Sequence, residues 1–262
     1  GLTGLFNNAN YAGSWLTIIL PLCLAQSFCN SNKVLRKIIF RTILVGIILC
    51  IILTNSRNAW GSSIITLPLI FGFSSLRWFI PLLLFLASII LTTTQNIFKG
   101  SIQEFLKNII PDRIWLEFTN INFSQMDLTR LEIFKAAIKL VILNPLFGTG
   151  AASFPVFYEL QTSFWLGHSH NLFTELSLSY GLPSTIILIT FLCNILFFSF
   201  KNIYLQKESN IYEKGFFVAI VVFLLSQLVD IQYFDGRISL VFWLLLAGLK
   251  CIIDEYKFIK YE

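Results

Sequence analysis

The chain has 262 residues, 56% of them hydrophobic and 13% charged, with 27 Phe and a formal net charge of +5. A soluble globular domain carries about 25% charged residues, so this composition excludes an ordinary soluble domain and points to an integral membrane protein. The basic excess lies in short clusters beside apolar runs, which membrane topology explains without a nucleic-acid partner.

A spanning helix needs about 20 apolar residues, and seven runs qualify: 11–29, 38–55, 60–76, 78–95, 181–200, 215–233 and 238–253. The third and fourth are separated only by Ser74, Ser75, Leu76 and Arg77 and contain Pro68 and Pro81, so they read as two short spans or a re-entrant pair. These runs divide the chain into membrane helices over 1–95, an outer loop with amphipathic helices over 96–170, and C-terminal membrane helices over 171–262. The backbone of each span must satisfy its own hydrogen bonds in lipid, so the expected fold is all-α, a polytopic helical bundle. Gly1 is not an initiator Met and no signal peptide precedes the first run. The chain therefore reads as the C-terminal part of a longer protein.

Orientation follows from Lys and Arg in the short connections. With the first residues outside, the inner segments hold Lys33, Arg36, Lys37, Arg41, Arg77, Lys201, Lys207, Lys214, Lys250, Lys257 and Lys260, while the short outer segments hold only Arg57 and Arg237. The 96–170 loop then faces out and the C-terminus in. Arg57, the long loop, His168, His170 and the turn from Asp230 to Arg237 share the outer side.

Within the long loop, apolar positions recur at Leu131, Phe134, Ile138, Val141 and Ile142, a helical period over 128–143 interleaved with Arg130, Glu132, Lys135 and Lys139. Such a basic amphipathic helix can rest in the membrane interface. Asn144 and Pro145 end it, and Phe147 to Gly150 makes a turn. Arg130, placed in the first turn by this reading, opposes the helix dipole.

Six positions invite chemistry. Arg57 follows the second span; it is either an interfacial anchor or a planar fork that grips phosphate oxygens in pairs, and Arg130 could be its partner on a diphosphate. His168 and His170 are the chain's two histidines, and Ser169 or Asn171 caps the helix that follows. A helix N-terminus disfavours imidazolium, leaving His170 a neutral ring able to accept a proton as a general base; a hydrogen-bonded interfacial histidine is the plainer alternative. A metal site lacks a third ligand at useful spacing, since no other histidine exists. Gly181, Leu182 and Pro183 interrupt the helix, so a short helix over 171–180 should bend into the span; Glu175 lines the cavity so formed or faces solvent. Asp230, late in the sixth span, is a functional candidate because a carboxylate at that depth is costly, or it pairs with Arg237. Cys23, Cys29, Cys50, Cys193 and Cys251 lie in apolar runs with no CxxC spacing, which supports neither disulfides nor zinc.

The blocks "GLTGLFNNANYAG", "TNSRNAW" and "DLTRLEIFKAAIKLVILNPLFGTGAASF…HSHNLFTELSLSYGLPS" resemble, in that order, the O-antigen ligase-like family of polytopic membrane proteins, over about residues 1–185. The most specific part is His170 and Asn171, nine residues, Gly181, two residues, then Ser184, where the family prefers Gly, Thr or Tyr. The resemblance implies a bundle of roughly twelve spans with a large periplasmic loop, about five spans preceding Gly1. It implies a multi-pass protein of the inner (cytoplasmic) membrane with a periplasmic active face. Ligases of this kind move a glycan from undecaprenyl diphosphate to a lipid A–core acceptor without a metal, cofactor or nucleotide sugar; related polymerases join repeat units carried on the same lipid. By resemblance Arg57 and Arg130 bind the diphosphate, His170 activates the acceptor hydroxyl, and Asp230, His168 and Asn171 contact substrate. A small-anion transporter is the rival from another class. It would place ionisable groups near mid-membrane, whereas here the spans are nearly free of charge.

Overall fold

The computed structural model describes residues 1–29, 34–77, 80–81, 84–85, 88, 123–205 and 210–258. Among them no strand occurs; the regular structure is helical. We number the α-helices α1 (Ala9–Phe28), α2 (Val34–Thr54), α3 (Arg57–Phe71), α4 (Phe123–Leu143), α5 (Ser153–Thr162), α6 (Leu172–Tyr204), α7 (Ile211–Ser226) and α8 (Gly236–Phe258). The expected all-α membrane bundle is what the chain forms. The fourth expected span and residues 96–122 of the outer loop lie largely outside the described residues.

Local chemistry sets the helix starts. Asn8 accepts from Asn10 N, Ser56 from Ala59 N, Asn171 from Phe173 N and Thr174 N, and Asn210 from Tyr212 N. Each such cap satisfies a donor that the first turn leaves orphaned. Four helices, α1, α2, α6 and α8, are long and apolar enough to cross a membrane. α3 and α7 are shorter, at 15 and 16 residues, and are held among the others. α7 is packed among its neighbours, with Val218, Ala219 and Ile220 fully buried and contacts to α1, α3, α6 and α8. Small residues permit the close crossings: a Cβ on Gly13 would come within 2.8 Å of Ala59, and one on Gly215 within 3.0 Å of Ala25. The outer faces of α2 and α6 present Ile38, Ile43, Leu49, Ile187, Phe191 and Phe197 uncovered, as lipid-facing helices do.

Two corrections to the expected spans matter. The sixth does not run to residue 233: α7 ends at Ser226, because the buried Gln227 caps the chain reversal by accepting from Gln232 N and Tyr233 N. Asp230 therefore lies in a loop beyond the helix, not inside a span. In addition, α4 begins at Phe123, not near 128. Residues 124–127 contain no helix breaker, so Arg130 sits two turns into the helix and does not confront its dipole.

The helix ends sort into two poles. At one, Asn10 of α1 bonds Asp230, Asn58 of α3 bonds Ser226 O, Leu172 N of α6 bonds Gln227 O, and Arg237 of α8 bonds Leu5 O. At the other, Phe28 meets Phe71 at 5.0 Å, Tyr204 Oη donates to Leu69 O, and Tyr256 Oη donates to Glu213. This is the same division of helix ends that the Lys and Arg pattern requires.

The interrupted helix is held by a trade of backbone partners. Gly181 has φ 83°, and Pro183 brings no N–H, so the carbonyls of Leu178 and Ser179 lose their intrahelical donors. Thr149 N and Gly150 N take them at 2.6 and 3.2 Å, while Leu182 N turns to Pro145 O at 2.8 Å. The 144–150 turn thus docks on the kink. Beside it, Ile133, Ala137, Leu140 and Val141 of α4 pack with Phe154 of α5 and Leu178 of α6 in a small core separate from that of the bundle.

Candidate functional site

The site begins with a sharp backbone turn. His170 has φ 57°, a left-handed conformation that histidine tolerates at modest cost. Asn171 follows as the cap of α6 and also donates from Nδ2 to Leu228 O at 3.1 Å. Glu175, which the sequence left open between cavity and solvent, is buried at 3% exposure and accepts from Ser169 N at 2.8 Å. It fixes the turn from within.

Onto this turn the 226–233 loop delivers a carboxylate. Asp230 Oδ1 lies 3.0 Å from His170 Nδ1 and 3.8 Å from His168 Nε2, and it accepts from Ile231 N at 3.0 Å. Its other oxygen accepts from Asn10 Nδ2 at 3.1 Å and Gln232 Nε2 at 2.8 Å. Gln232 is in turn held by Gln227, which donates to its Oε1 at 3.0 Å; both glutamines are fully buried. Every hydrogen bond on the Asp230 carboxylate is thus one it accepts, while its backbone N–H donates to Ser226 O at 3.3 Å. The carboxylate is 13% exposed and the two rings 27% and 29%, so the cluster sits at the bundle's rim within reach of water.

These contacts assign the rings' protons. Facing a carboxylate, His170 Nδ1 carries a hydrogen, and in the neutral form of the ring Nε2 then holds the lone pair. His168 Nδ1 accepts from His170 N at 3.2 Å, so its hydrogen sits on Nε2, toward Asp230. The rings meet edge-on with centroids 4.4 Å apart. Burial, and then the neighbouring His170, push the His168 ring below the usual histidine range, against the attraction of Asp230 and Glu175. For Asp230, burial raises the carboxyl, but the His170 hydrogen bond, the charges of both histidines and Ile231 N outweigh it and hold it below the usual range.

The structure therefore joins His168, His170 and Asp230 directly, with Asn171 beside them as the helix cap tied to Leu228 O. The alternative pairing of Asp230 with Arg237 is not formed: Arg237 Nη2 binds Asp235 at 2.7 Å and its guanidinium lies 4.0 Å from the Phe6 ring centre. Arg57 opens α3 at the same pole, exposed, beside Asn58. Arg130 is exposed on α4, one turn before the buried Ile133, on the helix that docks against the first segment of α6. Sequence reading missed Asn10, Gln227 and Gln232. The signal was present: two amides flank Asp230 in an otherwise apolar stretch, and Asn10 falls inside the first block of the resemblance. It also missed the third donor atom beside His-x-His, since Asp230 is 60 positions from His170. His168, His170 and Asp230 bring three metal-capable atoms within 4.8 Å of one another.

The sequence model of the O-Antigen ligase family matches residues 12–189. No curated protein and no solved structure matches the chain.

Proposed function

Because the chain belongs to the O-antigen ligase family, we propose that it is a membrane glycosyltransferase that moves a glycan from undecaprenyl diphosphate to a hydroxyl of lipid A–core or a related acceptor, without a metal. The observation that carries this reading is the 3.0 Å contact between His170 Nδ1 and Asp230. It orients the ring and leaves Nε2 as a proton acceptor at the rim, the arrangement a general base requires. In the proposed step the acceptor oxygen attacks the anomeric carbon as its proton passes to His170 Nε2. The glycosidic C–O bond to the diphosphate breaks, its electron pair leaves with the diphosphate, and the anomeric carbon is inverted. The imidazolium formed is stabilised by the Asp230 carboxylate. Arg57 and Arg130 bind the diphosphate and offset the negative charge that grows on it. Asn171 and His168 contact the substrates beside the base. On this reading the rim carrying these residues faces the periplasm from the inner membrane.

The test is His170→Ala expressed at normal level in membranes. Transfer of the lipid-linked glycan should be abolished; unchanged transfer would remove the histidine from the mechanism. A knockout followed by gel analysis of surface polysaccharide separates the two activities within the family. Loss of all capped lipid indicates a ligase, whereas retention of single-repeat caps indicates a polymerase that uses the same donor chemistry.

A further inference from the structure

We propose that His168, His170 and Asp230 form a chelating site for a divalent transition-metal ion of the zinc class, and that its occupancy silences the transfer. Chelation stands on the geometry alone; the silencing rests on the reading of His170 as the base.

One ligand atom from each of His168, His170 and Asp230 lies within 4.8 Å of the others, and the nitrogens nearest the carboxylate are His168 Nε2 and His170 Nδ1. Asp230 Oδ1 is 3.0 Å from one nitrogen and 3.8 Å from the other. A tetrahedral zinc ion with bonds of about 2.0–2.1 Å holds its ligands roughly 3.3 Å apart, so only small adjustments bring the three atoms around one centre. Two imidazoles and a carboxylate suit zinc, copper or nickel better than magnesium or calcium. A second layer of support is already built, because Asn10 and Gln232 hold the other oxygen of Asp230. Partial exposure of all three side chains gives the ion access and leaves room for water in the fourth position.

Binding shifts protons in a definite way. A metal on His170 Nδ1 displaces the hydrogen that faces Asp230, and the neutral ring then carries it on Nε2. The atom that must accept the acceptor's proton becomes a donor, and the base is switched off. On His168 the hydrogen moves to Nδ1, which forfeits the 3.2 Å bond from His170 N.

The experiment uses the detergent-purified chain with Cys23, Cys29, Cys50, Cys193 and Cys251 replaced by serine, so that thiols do not compete, and Co²⁺ as a spectroscopic probe. One Co²⁺ per chain should bind with the visible bands of nitrogen and oxygen ligands and be displaced by Zn²⁺. Its affinity should fall about tenfold or more in His168→Gln and in Asp230→Ala. No binding, or binding unchanged in His168→Gln, overturns the site. In membranes with the unaltered chain, Zn²⁺ should inhibit transfer and a chelator restore it. Unimpaired transfer at saturating Zn²⁺ overturns the silencing. Transfer that requires the metal overturns both the silencing and the metal-free mechanism, while leaving chelation intact.

Discussion

Asp230 accepts on both of its oxygens: His170 and Ile231 N donate to one, Asn10 and Gln232 to the other. An amide can offer only one oxygen. Asp230→Asn must therefore set its own NH₂ against donors on one side, whichever way it turns. If His170 is the base, this variant should lose about 10²–10⁴ in transfer rate, measured with lipid-linked donor in membranes. A smaller loss would mean that Asp230 does not govern the ring. The two perturbed groups also set a pH dependence of stability. Both His168 and Asp230 are held below their ordinary ranges in the fold, so at acid pH the unfolded chain binds protons that the folded chain refuses. Their contributions are present above the unfolded values and are lost as pH falls, from about 6.5 downward for His168 and below about 3.9 for Asp230. Thermal unfolding of the purified protein should show both losses. His168→Gln should erase the upper one and keep the lower. The histidines, the cap and the carboxylate were each readable as isolated residues. Their union was not, because Asn10 and Asp230 are 220 positions apart and no local pattern encodes such a distance.

The kink of α6 shows how an element can be stabilised by its own defect. Gly181 and Pro183 free two carbonyls, and the 144–150 turn supplies the donors. The fit leaves no space for a side chain: a Cβ on Gly181 would stand 2.1 Å from Leu146 O, and one on Gly148 2.4 Å from Leu178 O. Both glycines also hold positive φ, at 83° and 68°. Gly181→Ala and Gly148→Ala should each destabilise the protein by at least about 1–3 kcal/mol from backbone strain alone. The double variant should cost less than the two together, since both spoil one contact; full additivity in thermal unfolding would show that the turn and the kink are independent. The bend was legible from Gly-Leu-Pro and the turn from Asn-Pro and Gly-Thr-Gly. That each completes the other was hidden, because backbone hydrogen bonds between distant segments leave no mark on side-chain periodicity. The end of α7 was misread for a related reason. Leu228, Val229 and Ile231 carry the apolar run on past Ser226, whereas the folded-back Gln227 side chain closes a turn there.

At the scale of the whole molecule, charge placement and contacts between helix ends give the same two-sided arrangement. Lys and Arg in the connections separate an outer from an inner set of segments, and the helix ends gather at two poles accordingly. In a chain freed of native cysteines, Phe234→Cys and Leu205→Cys, both at exposed positions on opposite poles, should differ in labelling. A membrane-impermeant thiol reagent added from the side that the proposed function makes periplasmic should reach the first and spare the second; equal labelling would refute the topology. Helical architecture was legible throughout because a membrane leaves the backbone few options. Span lengths were less so, since α7 is packed among its neighbours and need not match the bilayer's thickness.

That His168 and His170 precede Asp230 in the chain, and that only the loop after α7 brings the carboxylate to them, bears on biogenesis. A nascent chain halted at Ser226 has both imidazoles but neither Asp230 nor Gln232 to orient them. If the chain is the proposed transferase, ribosome-bound intermediates should accordingly be inert toward the lipid-linked donor, and competence should arrive only when the hairpin of α7 and α8 inserts.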